Sequence, residues 1–355
     1  MALPLAAYTA IEASVALVAV LGNFAVLFCF TRERRLRRLT NYYILSLAAT
    51  DLLVGLFGIP FAILTKAGLP RHAPVSCVAM LSFLIVLCTV SILHLVAVSL
   101  DRYWAILHPM TYKRLASTSI VVRVIAACWV LGCVVGFMPL FGWNSVEAAP
   151  DGYCLFLPVM RYGFLVFLYF ATIVYPALLI AYCYCRIYRV VRKQVRQISS
   201  FENAVRNNFA DTSGEQHPLK NNSLTPMHVS SVFRPNSARS VVPMVSRREV
   251  RTAKILFSIV IFFMLCWFPL YTLNCVKAFC NGCDPPQWLF DCLVVLSHLN
   301  PALNPFLYAY QMSDFRAALK RSFGCGCLAP EERTLSHKLR PSPVSAVNRA
   351  AELAD

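Results

Sequence analysis

Charged residues are scarce: Asp, Glu, Lys and Arg make up 14% of the 355 residues, while 58% are hydrophobic. Soluble proteins carry about a quarter charged residues, so this balance argues against a soluble fold. Acidic residues are scarcer still, 17 against 33 basic, leaving a formal net charge of +16. In a polar chain that excess would point to nucleic acid. A mean hydropathy of +0.60 instead places most of this chain in an apolar solvent, and no nucleic-acid partner is expected. Period-2 alternation, the mark of a transmembrane barrel, is missing, as are the internal repeats from which many transporters are built. The chain also lacks a basic segment before its first apolar run and a cleavage site after it. That run, which contains Glu12 and Gly22, therefore reads as a retained span rather than a signal peptide.

What is present is a set of seven apolar runs of roughly 20 residues each, at 8–30, 41–64, 77–104, 119–141, 162–188, 253–276 and 288–310. Backbone polar groups find no water in a bilayer core, so such runs cross it as helices. The expected fold is an all-α membrane protein, a seven-transmembrane helix bundle over residues 1–312. Twenty-nine of the 33 basic residues fall in one alternate set of connecting segments and the tail, with Arg32, Arg34, Arg35, Arg37 and Arg38 clustered in a short one. Lys66, Arg71, Arg161 and Lys277 make up the opposite set. By the positive-inside rule the amino terminus lies outside and the carboxyl terminus in the cytoplasm. Residues 199–246, rich in Ser, Asn and Pro, read as a disordered inner loop, and 325–355 as a disordered tail; both carry serines open to phosphorylation. Residues 313–324 read as a short amphipathic helix 8 in the membrane interface, capped by Ser313 or Asp314.

Ionisable groups inside spans are costly and mark function by default. Asp51 sits mid-span in the second run, where Asn23, Ser91, Asn300 and Asn304 could face it. A carboxylate among amides and a hydroxyl suits a small cation or water; the other reading is a neutral Asp in a structural hydrogen-bond network. Glu12 and His298 are two further expensive groups, and pairing them explains both, with the carboxylate fixing the imidazole tautomer. Asp101-Arg102-Tyr103 closes the third run and Glu249 opens the sixth, so Arg102 could pair with Glu249 in one state and release it in another. Pro269 in Cys266-Trp267-Phe268-Pro269, Pro305 in Asn304-Pro305-Phe306-Leu307-Tyr308, and Pro176 each remove a helical hydrogen bond and bend their spans. Most of the 15 cysteines lie within spans as small apolar residues. Outside them, Cys77 with Cys154 would tie the second outer loop to the third span, and Cys280 with Cys283 reads as a local disulfide rather than a zinc or redox site. Cys325 and Cys327, after the amphipathic helix, are either palmitoylated or free cytosolic thiols.

Asn23, Asp51, Asp101-Arg102-Tyr103, Trp129, Pro176 with Tyr184, Cys266-Trp267-Phe268-Pro269 and Asn304-Pro305-Phe306-Leu307-Tyr308 fall one set per span, in order. Over about residues 8–325 the chain thereby resembles the rhodopsin-like (class A) G-protein-coupled receptors. Thr40-Asn41-Tyr42-Tyr43, Pro139-Leu140-Phe141-Gly142-Trp143-Asn144, Asn274-Cys275 and Leu296-Ser297-His298 resemble the adenosine receptors among them. The resemblance implies a plasma-membrane receptor, not an enzyme. It would bind extracellular adenosine or a related nucleoside, activate a heterotrimeric G protein that modulates adenylate cyclase, and meet arrestin, receptor kinases and membrane lipid. Phe156 would stack on the purine, Asn274 would donate to and accept from the adenine, and Trp267 and Leu270 would floor the pocket. Ser297 and His298 would reach the ribose hydroxyls, with Glu12 beside His298 and with Leu84 and Cys88 on the third span. Asp51, Ser91, Asn300 and Asn304 would hold an allosteric Na+, with no other cofactor. Asp101, Arg102, Tyr103, Glu249, Tyr184 and Tyr308 would form the switch toward G protein, with Pro109, Tyr112, Lys113 and Arg114 as contacts.

The sequence departs from that family at Cys88, where many members have threonine, and at Tyr271, where many have histidine. Leu157 follows Phe156 in place of a frequent acidic residue, and Phe164 and Leu168 replace polar or thioether residues. No Lys or Arg occupies a matched pocket position, which favours a nucleoside over a nucleotide. Leu84 stands where an amine receptor presents a carboxylate, and His298 where an opsin has its lysine, so both classes are disfavoured. A lipid receptor or an orphan of the same lineage stays as an alternative because the pocket candidates are largely apolar. From another class, a proton-coupled transporter could use Asp51, Glu12 and His298 as a relay.

Overall fold

The computed structural model describes residues 4–146, 152–212, 247–280 and 285–324, with backbone alone at 194–212, 247–249, 251–252 and 278. Six helices are long and apolar enough to cross a membrane: α1 (Leu5–Arg32), α2 (Leu39–Lys66), α3 (Pro74–Leu107), α4 (Thr118–Phe141), α5 (Tyr162–Lys193) and the apolar part, Ala253–Lys277, of α6 (Arg247–Phe279). The seventh, α7 (Gln287–Gln311), is 25 residues long, enough for a hydrocarbon core of about 30 Å. It is less apolar because its buried face carries Asp291, Ser297, His298, Asn300 and Asn304. A short α8 (Ser313–Phe323) follows. No strand occurs among the described residues, only an isolated antiparallel bridge between Asn144 and Met160.

Helix α3 is the axis of the bundle. It packs on α2, α4, α5 and α6, and 78% of its apolar window is buried, against 22% for α4. Between helices in lipid, small residues permit the close approach that dispersion needs. Gly132 and Gly136, one turn apart on α4, supply it: a Cβ at Gly132 would stand 2.3 Å from Val90 Cγ2, and one at Gly136 2.4 Å from Val86 Cγ2. Helix α7 closes the ring against α1 and α6. There Gly22 meets the ring of Pro305, 2.9 Å from where a Cβ would be, and Asn23 donates to Ala19 O and to Pro301 O, each at 2.9 Å. Trp129 of α4 donates to Ser46 of α2 at 3.1 Å.

Two helices widen into π turns, Val54–Gly58 in α2 and Tyr169–Val174 in α5. Each precedes a proline, Pro60 or Pro176, whose ring would collide with the carbonyl four residues back in an unbroken α-helix. The bend expected at Pro176 thus takes the form of a widened turn, and Pro60 does the same in α2. The backbone of α5 continues helical to Thr212, into the segment read as loop from 199. No Gly or Pro occurs between Pro176 and Gly214 to stop it; the remainder of that loop, 213–246, lies outside the described residues.

Helix α8 is not capped as expected. Ser313 and Asp314 lie inside its first turn and the capping position falls to Met312, whose side chain makes no capping hydrogen bond. The helix follows α7 at once, so Met312 serves both as the end of one and the start of the other. Asp314 pairs with Arg38 at 2.9 Å, and Arg321 grips Glu33 through two nitrogens at 2.9 and 3.0 Å. The tail from 325, with Cys325 and Cys327, lies outside the described residues.

Candidate ligand-binding cavity and inner switch

The outer loop is built first. Cys77 at the start of α3 is bonded to Cys154, the pairing expected from the sequence. Cys154 N–H donates to Gly68 O at 3.2 Å. Gly68 has φ +73°, and a Cβ there would strike Tyr153 at 2.3 Å, so no other residue serves at this corner. On the far side Arg161 Nε donates to Asn144 O at 2.7 Å. Held at both ends, the loop projects Phe156 inward. Cys280 is also in a disulfide, while its expected partner Cys283 lies outside the described residues.

Beneath the loop lies a cavity of about 600 Å³, within the range of small-molecule sites. Eight of the sequence-derived ligand residues line it: Leu84, Cys88, Phe156, Trp267, Leu270, Asn274, Ser297 and His298. Glu12 stands behind them on α1, its Oε2 2.8 Å from His298 Nδ1, with both groups buried. Asn274 is buried and its Oδ1 has no hydrogen-bond partner among the described residues. Ser297 Oγ donates to Val294 O at 2.6 Å, which leaves its oxygen as an acceptor toward the cavity. Trp267 packs on Tyr271, with centroids 5.8 Å apart. Leu157 and Leu168 line the cavity; Phe164 instead packs on Trp143 at 5.4 Å and does not line it.

The matched pocket positions carry no Lys or Arg, but two lysines outside them reach the cavity. Lys66 and Lys277 both line its outer end, together with Tyr8, Gln287 and Asp291. The reason is geometric: matched positions covered the middle of the spans, whereas these lysines end α2 and the apolar part of α6. Lys66 is neutralised by a hydrogen-bonded ion pair with Asp291. A sequence signal for Asp291 existed, since it precedes His298 by seven residues and so shares its face of α7.

Deeper in the bundle, Asn304 Nδ2 donates to Asp51 Oδ2 at 2.7 Å and approaches Asn300 Oδ1 at 3.5 Å. Asp51, Ser91, Asn300 and Asn304 are all buried, and Asn304 Oδ1 has no partner among the described residues. Carboxylate, amide and hydroxyl oxygens are the donor set of a hard cation, so these residues fit one.

A bundle of seven helices with an outer cavity and this inner arrangement is matched, over residues 22–308, by the family described as 7 transmembrane receptor (rhodopsin family). The chain belongs to that family. Among known proteins, adenosine receptor A2a of Homo sapiens is 33% identical to the receptor, covering 92% of this chain and 74% of its own. Adenosine receptor A2b of Canis lupus familiaris is also 33% identical, at 88% and 87%, and that of Rattus norvegicus is 32% identical, at 89% of both. The receptor is therefore a class A G-protein-coupled receptor, a multi-pass membrane protein that takes a ligand and couples to a G protein, and not an enzyme.

At the end of the bundle away from the cavity Arg102 Nη2 lies 2.6 Å from Asp101 Oδ2 and also donates to Thr40 Oγ1 of α2 and, at 3.3 Å, to Tyr112 OH. Thr40 donates to Asp101 Oδ2 at 3.1 Å. Tyr112 OH donates to Asp101 Oδ1 at 2.9 Å. Tyr112 was expected as a G-protein contact with Pro109, Lys113 and Arg114; the segment forms a two-turn helix (Pro109–Leu115) that points the Tyr112 hydroxyl at Asp101, leaving Lys113 and Arg114 exposed. The Glu249 side chain lies outside the described residues. Tyr103 packs on Tyr182 of α5 at 6.2 Å, Tyr184 on Phe257 of α6 at 4.8 Å, and Tyr308 of α7 on Phe315 of α8 at 6.0 Å.

Proposed function

We propose that the receptor binds extracellular adenosine, or a close nucleoside, and activates a heterotrimeric G protein that modulates adenylate cyclase. The observation that carries this reading is Asn274: a buried amide on the cavity wall with its carbonyl oxygen unpartnered among the described residues, in the same cavity as the aromatic ring of Phe156. An amide that donates and accepts at once matches the N7 and exocyclic-amine edge of adenine, and an aromatic wall suits a planar base. Ser297 and His298 are then available for ribose hydroxyls, with Glu12 holding the imidazole. The Lys66 ammonium is occupied by its pairing with Asp291, in line with an uncharged ligand.

Signalling follows by population shift. Agonist must bind the active state better than the resting one, and three elements can differ between states: the Asp51 site with Na+, the Asp101-Arg102-Thr40-Tyr112 cluster, and α6 bent at Pro269. Asp51, Ser91, Asn300 and Asn304 would hold the ion. The amino terminus faces outside and α8 the cytoplasm of the plasma membrane, where receptor kinases, arrestin and anionic lipid are the further partners. A panel of nucleosides, nucleotides and lysolipids, read by cyclic AMP in both directions, tests the reading. Adenosine should act at the lowest concentration, and Asn274→Ala should abolish its effect without loss of surface expression. A full adenosine response in that variant removes the purine assignment. A response confined to lipid would favour the alternative that the aliphatic lining, with Leu81, Leu84, Ile85, Leu165 and Leu168, supports.

A further inference from the structure

Pro269 lies inside α6 and removes a hydrogen bond to the preceding turn, so the helix can bend there. The stretch from Ala253 to Phe268 is then a lever. Among the described side chains between Ala253 and Cys266, Ser258 alone hydrogen-bonds another helix: its hydroxyl donates to Gln311 Oε1 at 2.8 Å. Gln311 is the last residue of α7, and α8 begins two residues on. That end is pinned. Phe315 of α8 packs on Tyr308 of α7, while Asp314 and Arg321 hold Arg38 and Glu33. The bond thus runs from the helix that can move to a platform tied to the segment between α1 and α2.

We propose that Ser258 and Gln311 form a latch that sets how often the receptor is active without ligand, and that the latch opens as soon as α6 begins to bend at Pro269. The inference uses the receptor class alone and stands apart from the adenosine reading. Eleven residues separate Ser258 from Pro269, an arm of about 16 Å. A bend of about 10° therefore carries the hydroxyl about 3 Å and breaks the bond. Opening leaves nothing buried unpaired. The same hydroxyl lies 2.7 Å from Ile255 O of its own helix, a fallback acceptor, and the half-buried Gln311 amide turns to water. The latch is worth one neutral hydrogen bond, which holds the active-to-resting ratio down about fivefold. A ligand that prefers the active state opens it with a small part of its binding energy.

The test compares Ser258→Ala, Gln311→Met, the double variant and Ser258→Thr at matched surface density. Membranes are treated with adenosine deaminase, and guanine-nucleotide exchange on added heterotrimeric G protein is read with no ligand present. Ser258→Ala and Gln311→Met should each raise basal exchange about fivefold. The double variant should exceed neither, since one bond is removed in all three. Ser258→Thr keeps the hydroxyl and should stay near the unaltered level. Adenosine, added after the deaminase is blocked, should act on the two single variants at a concentration lower by the same factor, because a ligand that selects the active state gains what the latch loses. Mere damage to the fold would lower both readings instead. Gln311 ends α7 within reach of a docked G protein, so Ser258→Ala decides. Basal exchange at or below the unaltered level in that variant, or a rise in the double variant equal to the product of the single ones, overturns the latch. A basal rise in a receptor that ignores adenosine keeps the latch and removes the adenosine reading.

Discussion

The two glycines of α4 face different obstacles on α3, and alanine scanning should tell them apart. At Gly136 an added Cβ would lie 2.4 Å from Val86 Cγ2, 2.5 Å from Val86 N and 2.6 Å from Val86 Cα. Carbon atoms settle at about 3.5–4.0 Å, so the backbones themselves must part by about 1 Å. Overpacking costs about 1–3 kcal/mol, and a clash with main chain belongs at or above the top of that range. At Gly132 the near atom is Val90 Cγ2 at 2.3 Å, but Val90 N and Cα stand at 3.3 and 3.4 Å. Rotating one valine relieves most of that strain, for about 1 kcal/mol. Gly136→Ala should therefore lower the thermal unfolding temperature of the detergent-solubilised protein, followed by far-ultraviolet circular dichroism, clearly more than Gly132→Ala. Truncation sharpens the contrast. In a Val90→Ala background Gly132→Ala should become nearly neutral, a coupling of about 1 kcal/mol, whereas Val86→Ala should not rescue Gly136→Ala because the nitrogen and Cα remain. Equal losses from the two single variants, or rescue at Gly136, would refute the reasoning.

Three further outcomes are expected. Asp51→Asn should abolish the lowering of agonist affinity by sodium, measured by radioligand binding in sodium and in choline chloride; retained sodium sensitivity sinks the ion site. Glu12→Gln should weaken agonist binding by about tenfold, because His298 loses its 2.8 Å carboxylate partner; unaltered affinity with normal expression would show that the pair does not orient the imidazole. Trp129→Phe and Ser46→Ala should each destabilise by about 1 kcal/mol, and their combination should cost no more than the larger single loss, since both delete the same 3.1 Å hydrogen bond. Additive losses would show that the bond contributes nothing.

Hydropathy located the spans because a bilayer demands continuous apolar length, and the helices overrun the apolar runs where polar ends continue the turn, as at Thr40 and Lys66 of α2. Composition could not reveal the π turns, which depend on which carbonyl each N–H meets; only Pro60 and Pro176 hint at them. Glu12 and His298 were legible as partners because each alone is expensive in lipid. Lys66 and Asp291 were not, because each sits near a span end, where a charge is cheap, and they meet across 225 residues of chain. The cap of α8 was misplaced by one residue for a related reason: side-chain preference names Ser313, but the abrupt exit from α7 at Met312 decides the start. Tyr112 illustrates the same limit on the inner face, where Asp101 has two oxygens to satisfy and a short helix brings in a hydroxyl for one of them.

The pairing of the first helix with the last has a consequence for synthesis. Asn23 finds its distant carbonyl 278 residues later, and Glu12 finds His298 after 286. At about 5–20 residues per second, α1 resides in the membrane for about 15 to 60 s before α7 emerges to receive its amide and carboxylate. Over that interval the polar groups of α1 must shelter against water, lipid headgroups, α2 or an insertion chaperone. Assembly therefore finishes at the seam between α1 and α7, and a ribosome stalled before Pro301 would leave a membrane protein whose first helix is still waiting for its partner.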